Sequence, residues 1–509
     1  MGFVCFLIPG AAAFPVCGLL VSIAGEIWHN QENGLCFISA CLCFRENAMV
    51  ACGLKFLSVL LCVCCLSGGT LRAADAGYAY GFAKTEITPE VPLRLSGYGN
   101  RDTVYENVDE PLYVRAIAIR SPEKKVCALV SLDSIGFAGT FTDRIAKTVK
   151  EKYGLDRDQL VICSTHSHTA PHPVEGLSNI FSTPLTEAQR NASQKYWTQV
   201  EARIVKTVGT AIEDLKPGTM ALVTGEVGFA QNRRVLKNGK WTGFGVNPEG
   251  PVDHSLPVLK VTDGNGRLRG LVFNYACHCT TFGGDYNCLN GDWAGYAARY
   301  IEEQQGEIVA VCTIGCGADQ NPIRGKKDVA KDLAIGHGRA IAVEVARLLK
   351  QETQPITAPL GTAYGKADLP FEPPTKKELE TALDHQRPQV RQHAANMLKH
   401  FEKEGKLPTS YPAPVQVWKF GRQFTMVFLG GEVVVDYALR LKRELKSDAV
   451  WATAYANDVF GYVASERMRD EGGYEVDFSM IYYNQPGRWA KGTEDILIKR
   501  IHELVRQAE

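Results

Sequence analysis

Between residues 126 and 163 the chain runs through an apolar stretch of strand length, a segment of helical period and a second apolar stretch: Val126 to Leu132, Thr142 to Tyr153, Gln159 to Cys163. This β-α-β order constrains the fold more than any other feature, because two strands joined through a helix lie parallel in one sheet with the helix on its face. With the strand-like runs Tyr78 to Ala83 and Leu112 to Ile119 before it, the expected fold class is α/β, a layered domain with a mixed sheet. Loops at strand C-terminal ends are where such layers carry their sites. Here the loop begins Ser164-Thr-His-Ser-His-Thr-Ala-Pro-His-Pro and places His166, His168 and His172 close together in a chain that has 11 histidines.

Further along, Val258 to Val261 and Leu271 to Tyr275 read as a strand pair around the turn Asp263-Gly264-Asn265-Gly266, and Ile308 to Ile314 as another strand. Residues 353–375 are rich in Pro and Thr. The charged stretch Lys376 to Lys403 has the polarity of an exposed helix or a lid. Val415 to Phe420 and Gln423 to Leu429 form a hairpin around Gly421-Arg422, followed by a helix from Val433 to about Lys446 and a last helix, Glu494 to Gln507. No internal repeat is visible.

Composition narrows the rest. Hydrophobic residues at 45% and charged ones at 22% exclude a disordered chain. Lys+Arg 56 against Asp+Glu 56 leaves no net field to attract nucleic acid, so specificity has to come from a site. From Met49 the pattern is that of a secretory signal: Lys55, the apolar run Phe56 to Leu66, and Ala74-Asp75-Ala76 as the cleavage site. Residues 49–76 are therefore expected to be a signal peptide directing a secreted or periplasmic protein, with one domain over 77–509. Residues 1–48 are read as an upstream extension from too early a start codon; residues 3–24, apolar enough to be a membrane anchor, are the alternative. The seven cysteines after residue 77 are odd in number and include no CxxC, which argues against a disulfide scaffold. Cys277-His278-Cys279 allows a thiolate metal site or simply buried thiols.

On a strand, residues two apart face the same side, so His166 and His168 are expected to enter one pocket. H-x-H presents two imidazoles to one metal, or one to metal and one to substrate, but it also suits a polar loop whose histidines only make hydrogen bonds. His172, between two prolines, reads as structural. His278 follows the apolar strand Leu271 to Tyr275 in a similar setting. Together the two places suggest a divalent metal with ligands drawn from distant strand ends.

At this point the chain resembles the neutral, or alkaline non-lysosomal, ceramidases. Gly81-Phe-Ala-Lys-Thr-Glu-Ile-Thr-Pro is similar to that family's opening strand and turn, Ser96-Gly97-Tyr98 to the element after it, and Thr165-His-Ser-His-Thr to its T-H-T-H-S motif. Gln231-Asn-Arg-Arg resembles N-x-N-R-S, Tyr275-Ala-Cys-His resembles F-A-x-H, and Gly291-Asp292 with Gly295-Tyr296-Ala297 resembles G-D-N-x-G-Y-A. Gly430-Gly-Glu is similar to P-G-E, and Asn457-Asp-Val-Phe-Gly-Tyr-Val to N-x-Y-x-x-Y-[IV].

The resemblance implies a zinc amidohydrolase acting on ceramide or another N-acyl lipid, with transient contact to a membrane surface. Its Zn2+ would be held by His166, His278, Glu432 and Tyr462, with His168 and Arg233 beside the scissile amide. Without the family, Glu432 reads as a residue favouring a helix dipole, Tyr462 as core, and Arg233 with Arg234 as a solvated pair; Asp292 either orients a ligating histidine or caps the following helix. Two departures stand out. The family's G-D-V-S-P-N serine is absent from Gly315-Cys-Gly-Ala-Asp-Gln-Asn-Pro, where Cys316 or Ala318 takes about that place, and no C-terminal immunoglobulin-like domain is expected before Glu509.

Overall fold

Three antiparallel strands, Ala79–Glu86 (β1), Tyr113–Arg120 (β2) and Val126–Leu132 (β3), pair in chain order, and helix Gly139–Tyr153 (α1) carries the chain to Leu160–Ser164 (β4), parallel to β3. This is the β-α-β unit expected from the sequence. After a long helix, Glu187–Glu213 (α2), the same arrangement recurs. Thr219–Glu226 (β5), Ser255–Thr262 (β6) and Leu268–Tyr275 (β7) are antiparallel, and helix Asp292–Gln305 (α3) leads to Val309–Ile314 (β8), parallel to β7.

It recurs once more after Lys327–Leu348 (α4). Leu360–Glu372 (β9) pairs with Ser410–Phe420 (β10), with helices Lys376–Ala382 (α5) and Pro388–Glu404 (α6) between them in sequence. Phe424–Leu429 (β11) pairs antiparallel with β10, and helix Val435–Glu444 (α7) delivers Val450–Thr453 (β12) parallel to β11. The computed structural model describes residues 77–509, so the expected signal peptide and the segment before it lie outside the described residues.

The threefold recurrence is one of architecture, consistent with a sequence in which no internal repeat is visible. What recurs is strand order and the placing of apolar side chains, not residue identity. Inward-facing side chains of all three sheets share one core, which includes Tyr80, Leu129, Val161, Leu259, Val272, Trp418 and Phe428. In β3, Cys127 and Leu129 face that core while Ala128, Val130 and Leu132 pack with Phe141, Ile145 and Val149 of α1 and Val200, Ile204 and Val208 of α2. Burial on both faces is why β3 is apolar at every position but Ser131. Each such side chain contributes about 1.5–3 kcal/mol on leaving water.

Residues 353–375, rich in Pro and Thr, contain the long strand β9, since pairing with β10 overrides that composition. The stretch from Lys376 to Lys403 is two helices, α5 and α6, broken ahead of Pro388. They pack through Leu379, Ala394 and Met397, and Asn179 donates to the Gln389 carbonyl at 2.8 Å, which holds them beside the loop that follows the histidines.

The C-terminal strand ends are tied together around one point. Ser164 N–H donates to the Tyr455 carbonyl at 3.1 Å, joining the first sheet to the third, and Ala454 N–H donates to the Ile314 carbonyl at 2.9 Å, joining the third to the second. His168 N–H reaches the Cys279 carbonyl at 3.2 Å and joins the second to the first. That ring of hydrogen bonds surrounds the site.

Candidate active site

The histidines converge for a reason other than strand alternation. His166 lies past the end of β4 in a left-handed conformation, φ 56°, and Ser167 rather than either histidine bridges to Cys279. The turn swings His166 inward. Two residues beyond β12 stands Tyr455, in the place His166 holds beyond β4, and the two rings stack with centroids 4.4 Å apart. Three residues beyond β3, β7 and β11 stand Ile135, His278 and Glu432. Glu432 is not at a helix start as expected; it pairs in parallel register with Tyr462, and the helix begins only at Val435.

His166 Nε2 and His278 Nε2 each lie 3.1 Å from the same carboxylate oxygen of Glu432. His168 Nε2 is 3.1 Å from His166 Nε2, and the Tyr462 hydroxyl is 3.3 Å from His278 Nε2. His166, His278 and Glu432 are buried, with exposures of 1%, 0% and 2%. His168 is partly exposed.

The protonation state of this cluster follows from its outer contacts. His166 Nδ1 donates to the Ile135 carbonyl at 2.6 Å and His278 Nδ1 to the Gly317 carbonyl at 2.9 Å. A carbonyl only accepts, so each Nδ1 carries a proton and each Nε2 is turned toward Glu432. Burial, reinforced by Arg233, holds His278 down to about 4, which keeps it neutral near pH 7. Two imidazole Nε2 atoms, that of the neutral His278 bare, thus meet one carboxylate oxygen. Nitrogen and oxygen donors with second contacts to carbonyls fit a divalent metal. The His166, His168 and His278 group can hold a metal ion, all three offering nitrogens within 4.8 Å of one another.

Arg233 is buried and points at the same place. Its Nη2 donates to the Tyr462 hydroxyl at 3.2 Å and its Nη1 lies 3.4 Å from His278 Nε2, so it is not the solvated residue its sequence context allows. Arg234 is also buried, in an ion pair with Glu475. Tyr98 stands with its ring centroid 5.1 Å from that of His168. Gly97, at φ 88°, is where the two meet: a Cβ there would collide with the imidazole of His168.

Asp292 touches no histidine. Its carboxylate accepts from the amides of Thr281 at 2.9 Å and Trp293 at 2.6 Å, and Trp293 Nε1 donates to the His278 carbonyl at 2.9 Å. It shapes the loop that carries His278. Cys316 is fully buried and burial pushes its thiol up, while its loop supplies Gly317 as the acceptor for His278. Cys277 and Cys279 are buried free thiols and point to no thiolate metal site. His172, as expected, is structural: its Nδ1 is 3.1 Å from Ser96 Oγ and its ring packs on Phe181.

Tyr483, which donates to the second oxygen of Glu432, and Glu475, on the outer side of Arg233, were not foreseen. No motif marks either.

Three sheets whose strand ends bring imidazoles, a carboxylate, a phenol and a guanidinium to one buried point define a mixed α/β protein with a metal-competent centre. Residues 78–314 match the neutral/alkaline non-lysosomal ceramidase N-terminal region. Neutral ceramidase of Pseudomonas aeruginosa is 26% identical over 258 residues, 48% of this chain and 37% of that protein. The Drosophila pseudoobscura neutral ceramidase is 26% identical over 287 residues, 51% of this chain and 38% of that protein. The matches thus span little more than a third of these relatives.

Among solved structures, neutral ceramidase from Pseudomonas aeruginosa superimposes with a TM-score of 0.66 at 18% identity, covering 84% of this chain and 74% of that one. A ceramidase complexed with C2 gives 0.67 at 18%, covering 86% and 76%. The likeness is one of fold, and it agrees with the mixed α/β architecture.

Proposed function

We propose that this chain is a zinc-dependent amidohydrolase that cleaves the N-acyl bond of ceramide or a related lipid amide. The observation that carries the reading is the meeting of two imidazole Nε2 atoms and a carboxylate oxygen beside the guanidinium of Arg233. The family match over residues 78–314 and the fold of the ceramidase structures support it.

In this reading His166, His278, Glu432 and Tyr462 hold the metal. Zinc in such a set supplies Lewis acidity and brings the pKa of a water to about 7. Arg233 presents Nη1 and Nη2 to the oxygen on which negative charge develops, where loss of one such donor typically costs about 3 kcal/mol. His168 presents Nε2 to the same space and binds the scissile amide. Hydrolysis places the water oxygen on the acyl carbon, breaks the C–N bond and leaves a fatty acid and an amine that has gained a proton. A serine at the place of Ala318 is not required by attack of water. Export through residues 49–76 belongs to the same reading; among the described residues no helix is long and apolar enough to cross a membrane.

The test is metal content by elemental mass spectrometry on protein expressed from Met49, with hydrolysis of a fluorogenic short-chain ceramide on the same samples. About one zinc per chain with turnover, both lost in His166→Ala and Glu432→Ala, is the expected result. A well-folded wild type without zinc would overturn the metal reading, and zinc without ceramide turnover would redirect the substrate to another amide or ester.

A further inference from the structure

Arg233 is held from behind. Its Nε donates to Glu475 Oε1 at 2.8 Å, while Nη1 and Nη2 are left for the cluster and for Asn321 Oδ1, 3.4 Å from Nη1. Glu475 has no exposed side-chain surface, and its other oxygen pairs with Arg234. Arg234 in turn donates to Glu471 at 3.1 Å and to the Gly472 carbonyl at 2.7 Å. Two buried guanidinium groups thus face two carboxylates, and none of the four charges is left uncompensated.

Glu475 sits on a π-helical turn, Tyr474–Phe478. Such turns are rare and recur at functional places. The turn follows Gly472 and Gly473, at φ 71° and 104°, and a Cβ on Gly473 would strike the indole of Trp241. The backbone carrying the carboxylate is therefore fixed by close packing.

We infer that Glu475 is a positioning residue for Arg233: by engaging Nε it keeps both terminal nitrogens turned toward the cluster and keeps the guanidinium from closing on Glu432. The alternative partner is near, since His278 Nε2 is 3.4 Å from Arg233 Nη1 and 3.1 Å from Glu432. A guanidinium freed from Glu475 would pair with that carboxylate and withdraw it from the metal-binding set. The inference rests on the proposed hydrolase reading for its effect on turnover, but the geometry also governs how the site receives a carboxylate.

The experiment compares wild type, Glu475→Gln, Arg233→Ala and the double variant of the full chain. It measures the Kd of octanoate by calorimetry on metal-loaded protein, metal content, Tm, and kcat and KM on the short-chain ceramide. Glu475→Gln should weaken octanoate about tenfold and lower kcat about 100-fold with KM little changed. In the Arg233→Ala background it should do neither. Lower Tm with unchanged octanoate affinity, equal effects in both backgrounds, or no octanoate binding in any protein would overturn it. Absence of ceramide turnover in wild type with the octanoate pattern intact would sink the substrate reading and leave the role of Glu475 standing.

Discussion

His278 and Gly317 are joined by a hydrogen bond of 2.9 Å that crosses from the loop after β7 to the loop after β8. It assigns the proton of His278 to Nδ1 and turns the bare Nε2 inward. At Gly317 the segment Gly315 to Pro322 thereby serves the centre through a main-chain carbonyl, which asks nothing of the side chains of Cys316 and Ala318 beside it.

Cys316 tests that statement. The thiol is buried and pushed up by burial, so it is neither an accessible nor an ionised nucleophile. Cys316→Ala should retain turnover within about threefold while costing stability by about 1 kcal/mol for the lost packing. Kinetics together with urea unfolding checks both halves, and a loss of turnover at unchanged stability would give the cysteine a part in the reaction.

Gly97→Ala should act on His168. The substitution places a methyl group against the imidazole at a φ of 88°, where a side chain costs about 1–2 kcal/mol. We expect bound metal to be retained, because the displaced ring is outside the four proposed ligands, and turnover to fall about 100-fold. Loss of metal in step with activity would instead place His168 among the ligands.

Metal removal should lower thermal stability. A ligand bound only by the folded state stabilises it by about 4 kcal/mol when present at a thousandfold excess over its Kd. Chelation followed by differential scanning calorimetry should lower Tm in wild type and leave Glu432→Ala unmoved. An identical shift in both would trace the effect to some other ion.

Acid stability should depend on His172. Burial, with Arg94 nearby, lowers it to about 3 from the ordinary 6.5, so it is neutral in the fold and gains its proton on unfolding. Stability from this group is complete above pH 6.5 and is lost as pH falls through 6.5 toward 3. Between pH 6.5 and pH 5 the loss amounts to about 2 kcal/mol. His172→Gln should flatten the dependence of urea midpoint on pH over that range; an unchanged slope would assign it elsewhere.

The strands were legible where burial is two-sided. β3, β7 and β11 are predominantly apolar, and the turn at Asp263 to Gly266 names its own hairpin. The helix α2 was missed although Thr186 and Gln189 form a capping box at its start, because its apolar residues are diluted over 27 positions. β9 was hidden by Pro370, which pairs with Ser410 near the strand's end. Among the site residues, His166, His168 and His278 carry a spacing that can be read. Glu432, Tyr462 and Arg233 entered through resemblance, since a single carboxylate, phenol or guanidinium has no local signature. Tyr483 and Glu475 have none at all: only tertiary packing brings residues from the last part of the chain to those histidines.

That distance has a consequence in time. His278 and Glu432 are 154 positions apart, and each stands just beyond the third strand of its own sheet. Contacts of such sequence separation carry the largest loop-closure cost and form after local pairings are in place. The centre is thus a late product of folding, reached only when all three strand-helix units have docked. A chain arrested with one unit astray would have most of its secondary structure and none of its chemistry.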